Sequence, residues 1–125
     1  MTGALTALLI CAAGGVGAAL RFVIDGAVRA RLRSTYPVAT SVINITGSLL
    51  LGVVIGLTGS ELPSAWLLIA GTGLLGGYTT FSTASFETVR LLEDGRYLAA
   101  AVNSIGMLIA SVTAAGLGLV FGLAV

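Results

Sequence analysis

The chain of 125 residues contains no histidine and no lysine, and its single cysteine is Cys11. These absences exclude His-dependent triads, the lysine of a P-loop ATPase, His/Cys zinc sites and any disulfide within the chain. Charge is scarce as well. Only 9% of residues are charged, against about a quarter in a typical soluble chain, and the formal net charge is +1. Nucleic acid finds no basic footprint here. A soluble domain of this size exposes much of its surface, and six arginines with five acids are too few to cover it. What fills the chain instead is 57% hydrophobic residues and 18 glycines. The composition is that of a membrane protein.

The charges leave four uninterrupted stretches, 1–20, 34–60, 62–86 and 97–125. A bilayer core of about 30 Å takes about 20 apolar residues of helix. The expectation is therefore an all-α integral membrane protein with four transmembrane helices, at roughly 4–24, 38–57, 65–91 and 97–123. Pro37, Pro63 and Asp94-Gly95 precede the last three spans, and Tyr36, Trp66 and Tyr97 stand where interfacial aromatics belong. A cleaved signal peptide over 1–20 would want a positively charged start, which Met1-Thr2-Gly3-Ala4 lacks. The whole chain, 1–125, reads as one four-helix membrane domain.

Orientation follows from the arginines. With four spans, the loop between the first and second and the hairpin between the third and fourth share a side, and they hold or border Arg21, Arg29, Arg31, Arg33, Arg90 and Arg96. The N-terminus, the loop containing Glu61 and the C-terminus have no arginine. Positively charged loops stay cytoplasmic, so both termini are expected outside.

Small residues recur at four-residue spacing: Gly106, Ala110, Ala114, Gly118 and Gly122 on the last span, Ser48, Gly52 and Gly56 on the second, Gly14 and Ala18 on the first. Such stripes let backbones approach closely in lipid, either between two subunits or within one. Both uses remain open from the sequence. Gly71-Thr72-Gly73-Leu74-Leu75-Gly76 matches G-x-G-x-x-G by letter, but that fingerprint needs a preceding strand, and here it lies inside a charge-free span.

The chemistry follows it. Residues 76–85, Gly-Gly-Tyr-Thr-Thr-Phe-Ser-Thr-Ala-Ser, combine two adjacent glycines with a run of hydroxyls near the middle of the third span. Glycines and β-branched threonines weaken a helix at one spot. Carbonyls freed by a break must find partners inside the protein, either the threonine hydroxyls or a coordinated cation. Two copies meeting at a twofold axis would form a closed cage for such a cation. Beyond the break, Phe81, Ser82 and Ser85 can share a face, and on the second span Ser41, Asn44 and Ser48 do the same. No carboxylate lies in a span core. A track of N–H and O–H donors without acids, helped by the positive edge of a ring, suits a small anion.

These residues resemble the Fluc (CrcB) fluoride channel family over nearly the whole chain. The resemblance includes Gly14-Gly15-Val16-Gly17 through Leu20-Arg21 and Val42-Ile43-Asn44-Ile45-Thr46-Gly47, and is most specific over Gly76–Thr83 with Ser85 and Glu87. It implies an antiparallel, dual-topology dimer with two fluoride pores, working as a passive fluoride exit from the bacterial cytoplasm across the plasma membrane. It also implies a third helix broken near mid-membrane and a central Na+ that is structural and not transported, held by the carbonyls of Gly76 and Thr79. Asn44, Phe81, Ser82, Thr83 and Ser85 would line the anion path, with Arg21 at its mouth. The chain departs from the family where a second phenylalanine is expected and Ala84 stands instead. Phe86 is two residues further, about 200° around the helix, and cannot simply replace it.

A small four-helix multidrug/proton antiporter is the competing reading, but it needs a membrane-embedded carboxylate. Residues 1–20 contain none, and Asp25 sits near a helix end. A non-conducting assembly subunit would explain the glycine stripes and not the donor track. The arginine bias raises a further expectation. A chain that inserts both ways should have little bias, so the second channel subunit is either another copy or a related polypeptide of opposite orientation.

Overall fold

Lipid offers the backbone no hydrogen-bond partners, so charge-free sequence satisfies itself as helix. The computed structural model describes residues 3–60 and 62–125, with the side chains of 59 and 60 outside it, and Glu61 lies outside the described residues. Helix α1 is Gly3–Arg31 and α2 is Val38–Ser60. The third stretch forms α3 over residues 64–78 and then α4, Ser82–Glu93. Helix α5, Tyr97–Ala124, completes the bundle. There is no strand among the described residues. Helices α1, α2 and α5 are long and apolar enough to cross a membrane.

Two helix ends run past the sequence expectation, and the third stretch is interrupted at the glycine–threonine run where a weak point was expected. Helix α1 continues beyond 24 to Arg31, through an i,i+4 pair in which Arg29 Nε donates to Asp25 Oδ2 at 2.8 Å. Cations in a last turn also suit the negative end of the helix dipole. Helix α2 keeps its turns to Ser60. The stretch expected at 65–91 is helical only to Tyr78, because Thr79 is extended (φ −79°, ψ 162°) and helix resumes at Ser82. Two π-helical segments, Leu67–Leu75 and Val102–Gly106, carried no sequence signal.

The turn between α4 and α5 is a Schellman ending. Gly95 takes φ +72°, its N–H donates to the Leu92 carbonyl at 3.0 Å, and the Arg96 N–H donates to Leu91 at 2.9 Å. From there Arg96 Nη1 reaches the Thr35 carbonyl at 2.8 Å. The loop 32–37 and the α4–α5 turn are thereby tied together at one end of the bundle.

The small-residue stripes are largely used within the subunit. A Cβ on Gly52 would overlap the Ala115 carbonyl oxygen, and one on Gly118 would overlap that of Leu49, so α2 and α5 pack backbone to backbone. Helices α1 and α3 meet in the same manner, Gly17 against Leu74 and Gly77 against Gly14. Gly71 and Gly73 of the G-x-G-x-x-G match are buried in this packing, as parts of a helix and not of a phosphate loop. Gly106 is the exception, since its missing Cβ would meet only Val102 of its own helix at ordinary distance. The central cluster is Ile43, Leu75 and Tyr78, flanked by Ile24, Leu51 and Val54.

Candidate functional site

The site is built around residues 79–81. Thr79 closes α3 by donating both its N–H and its Oγ1 hydroxyl to the Leu75 carbonyl, each at 2.9 Å. The chain then turns extended, and the next N–H cannot continue the ladder. Thr80 N–H goes to Asn44 Oδ1 at 2.9 Å, while Asn44 Nδ2 donates to the Thr80 carbonyl at 2.8 Å. One amide from α2 therefore holds both backbone groups of Thr80. Its second N–H points at Met107 Sδ on α5, 3.6 Å away.

The Thr80 side chain starts the next helix. Its Oγ1 accepts the Thr83 N–H at 3.2 Å, as a capping threonine accepts from the N–H three residues on, and donates to Thr83 Oγ1 at 3.0 Å. Ser82 Oγ lies 3.4 Å from Thr80 Oγ1. Ser85 Oγ donates back to the Phe81 carbonyl at 2.9 Å. The Phe81 ring is 88% exposed. Tyr78 is buried with its hydroxyl 3.0 Å from Thr46 Oγ1, and Gly47 leaves room for its ring and the Thr79 methyl.

These capping bonds redirect two N–H groups. In an unbroken helix Thr80 N–H would serve the Gly76 carbonyl and Thr83 N–H would serve that of Thr79. Asn44 and Thr80 take both. The Thr79 carbonyl instead accepts Arg21 Nη1 from α1 at 3.2 Å.

Beside the break runs a groove of ≈ 670 Å³ bounded by α2, α3, α4 and α5, and none of its lining residues is charged. It brings together Asn44, Ser48, Gly76, Thr79, Phe81 and Ser85 from the sequence reading. Ser82, Thr83, Ser41 and Arg21 do not line it. The α5 residues Asn103, Ser104 and Ser111, together with Thr88 on α4, line it too, and sequence reasoning had passed over them. The available signal was the seven-residue interval between Ser104 and Ser111, two turns along one face.

Ala84 stands at this lining and is only 8% exposed. Its carbonyl accepts Thr88 Oγ1 at 2.8 Å and Asn103 Nδ2 at 3.2 Å. Asn103 also donates to Thr88 Oγ1 at 3.0 Å and is fully buried, with Oδ1 lacking a hydrogen-bond partner among the described residues. The acids sit elsewhere. Glu87 Oε1 accepts Thr40 Oγ1 at 2.9 Å and Arg29 Nη2 at 3.0 Å, and Arg29 also pairs with Asp25.

The chemical capacity is that of a neutral passage. Hydroxyls, the amides of Asn44 and Asn103 and the exposed ring of Phe81 flank a groove whose lining carries no acid or base.

Comparison with known proteins agrees with the resemblance stated above. The model of the family described as "CrcB-like protein, Camphor Resistance (CrcB)" matches residues 8–119. A protein of Leifsonia xyli named fluoride-specific ion channel FluC 1 is 50% identical over 119 residues, covering 94% of this chain and 87% of the relative. FluC 2 of Mycobacterium tuberculosis, a fluoride-specific ion channel by name, is 46% identical over 105 residues, 84% of this chain and 81% of that protein. FluC 2 of Cutibacterium acnes, named likewise, is 43% identical over 120 residues, 94% of this chain and 98% of the relative. With a family model matched over most of its length and relatives this similar, the chain belongs to the CrcB-like family.

Proposed function

We propose that the chain is a subunit of a passive fluoride channel in the bacterial plasma membrane, and not an enzyme. The observation that carries this reading is the neutral, donor-flanked groove against the Thr79–Phe81 interruption. The names of relatives up to 50% identical point the same way. The chain acts as one membrane domain whose third span is broken near mid-membrane, and two subunits assemble antiparallel. Asn44, Phe81, Ser82, Thr83 and Ser85 serve the anion path, and Arg21 stands toward its mouth. Fluoride is small and strongly hydrated, so the path must replace its water with N–H, O–H and ring-edge contacts. Ser82 and Thr83, which do not line the groove of the single chain, act at the α4 N-terminus, where backbone N–H groups and the helix dipole favour an anion.

The residues of the break suit a central Na+. The carbonyls of Gly76 and Thr79 have lost their helical N–H partners to Asn44 and Thr80, and such oxygens are hard donors fit for a hard cation. Two copies would supply four of them. When bound, Na+ would neutralise carbonyl dipoles that lipid cannot solvate. Everything else at the break is done by the chain itself: Asn44 splints it, Thr80 caps α4, and Thr79 closes α3.

The antiporter reading loses ground. Asp25 and Glu87 accept hydrogen bonds from Arg29, and neither lines the groove. Proteoliposomes holding the functional assembly, loaded with fluoride and monitored with an ion electrode, test the proposal. Rapid fluoride efflux with chloride retained is expected. Equal leakage of both ions refutes it.

A further inference from the structure

Among the described residues Arg21 is a cation without a carboxylate partner. Among the described residues the ion pairs are Arg29–Asp25 and Arg29–Glu87, so the acid one turn along α1 from Arg21 is already held by the arginine one turn beyond it. Its guanidinium turns instead to the break, and the Thr79 carbonyl is the acceptor it finds, at 3.2 Å and partly buried. That carbonyl is one of the two groups assigned above to Na+. A carbonyl oxygen has two lone pairs and can accept from both, but two positive charges on one oxygen repel, and more so where water is excluded.

We propose that Arg21 is the built-in cation of the helix break: it satisfies the Thr79 carbonyl in the lone subunit and competes with Na+ for that oxygen when two subunits close. The inference rests on the reading of a central Na+ given above. It deepens that reading by making Arg21 the residue that sets how much sodium assembly needs. The chain's own residues support the competition. Asn44 and Thr80 divert the N–H groups that would otherwise occupy Gly76 and Thr79, which leaves these oxygens open to another donor or to a cation. Gly76 has no arginine on it, whereas Thr79 does. The geometry is therefore asymmetric: Na+ binds Gly76 unopposed and Thr79 against a resident charge.

The test follows dimer dissociation of the purified, full-length assembly in detergent, with sodium replaced stepwise by N-methylglucamine at constant ionic strength and the dimer fraction read by analytical ultracentrifugation. Arg21→Gln keeps a hydrogen-bond donor and removes the charge, and should lower the sodium midpoint of assembly by about tenfold. Arg21→Lys keeps the charge without the fork and should lower it by about threefold; this variant carries the test should Arg21→Gln not fold. Arg33→Gln, an equal charge loss at an exposed position, should leave the midpoint unchanged. The melting temperature at saturating sodium should move little in any of them, which a purely structural role for Arg21 would not allow. A sodium-dependent wild type whose Arg21 variants share its midpoint, or need more sodium, overturns the proposal and leaves the central ion standing. A wild type that assembles identically without sodium overturns both.

Discussion

Asn44 and Thr80 are joined as two residues of adjacent β-strands would be: the amide oxygen accepts the Thr80 N–H at 2.9 Å and the amide nitrogen donates to the Thr80 carbonyl at 2.8 Å. A side chain thus supplies both halves of a backbone rung at the one place where the helix ladder fails. The relation constrains what Asn44 can offer an anion. Its N–H groups already point at Thr80 and Met107, and the bonds to Thr80 hold the segment just ahead of α4 in place.

Replacing it tests this. Asn44→Asp keeps the acceptor for Thr80 N–H and sets a carboxylate against the Thr80 carbonyl. The loss of a half-buried donor costs about 1 kcal/mol, and more where a charge is left uncompensated. The assembly should melt at lower temperature and fluoride flux should fall at least tenfold. Normal flux with normal melting would separate Asn44 from both roles.

The glycines of the α2–α5 seam make a second, purely steric prediction. A Cβ at Gly118 has no space, because the Leu49 carbonyl lies against it. Gly118→Val should force the helices apart at a cost of about 1–3 kcal/mol or more and abolish recovery of folded protein on size-exclusion chromatography. Gly106→Ala, on the same stripe, meets only ordinary contacts and should be recovered at wild-type yield.

Much of this was legible from charge placement alone. The charge-free stretches each became helix because lipid leaves the backbone no alternative, although α1 runs on through Arg21 and α4 through Glu87. The weak point at Gly76–Thr80 was legible too, as a local clash of glycine and β-branched residues with helix. Its partners were not. Asn44 lies 36 residues from Thr80 and Arg21 lies 58 from Thr79, and spacing within one helix does not say which neighbour a face will meet. The stripes show the same limit. Gly52 and Gly118 fit any close backbone, and only the fold shows that each serves the other's helix. The π-helical turn at Val102–Gly106, which carries Asn103, left no trace because it depends on packing and not on propensity.

Asn103 supports a third prediction. It is fully buried, donates to the Ala84 carbonyl and Thr88 Oγ1, and leaves Oδ1 unpartnered. Asn103→Ala removes the orphan acceptor along with the two donated bonds, and Thr88 still serves the Ala84 carbonyl at 2.8 Å. Asn103→Asp puts a carboxylate where donors were and strands it. The aspartate variant should therefore lower the melting temperature more than the alanine variant, by several degrees. The reverse order would mean that the amide's bonds outweigh the cost of its buried oxygen.

The last prediction concerns the second subunit. All six arginines lie on α1 from Arg21 onward, in the loop after it, on α4 or at the α4–α5 turn, and the Arg96–Thr35 bond ties those loops together at one end. Removing Arg21, Arg29, Arg31 and Arg90 from the count, because they sit within helices, still leaves Arg33 and Arg96, two against none. Insertion responds strongly to such groups, at about 2.5–3.5 kcal/mol for an arginine at mid-helix. A chain this biased should insert with its arginines in the cytoplasm and both termini outside. An antiparallel pair then needs a related polypeptide of opposite bias, and Ala84 is compatible with that, since a partner could retain the aromatic this subunit lacks. Expressed alone with C-terminal reporters active on opposite membrane sides, the chain should give signal almost entirely from the outside reporter. It should also show little fluoride efflux until the partner is supplied. Equal signal from both reporters, or strong efflux from the single purified polypeptide, would establish a homodimer instead, with topology decided at assembly and not by the arginines.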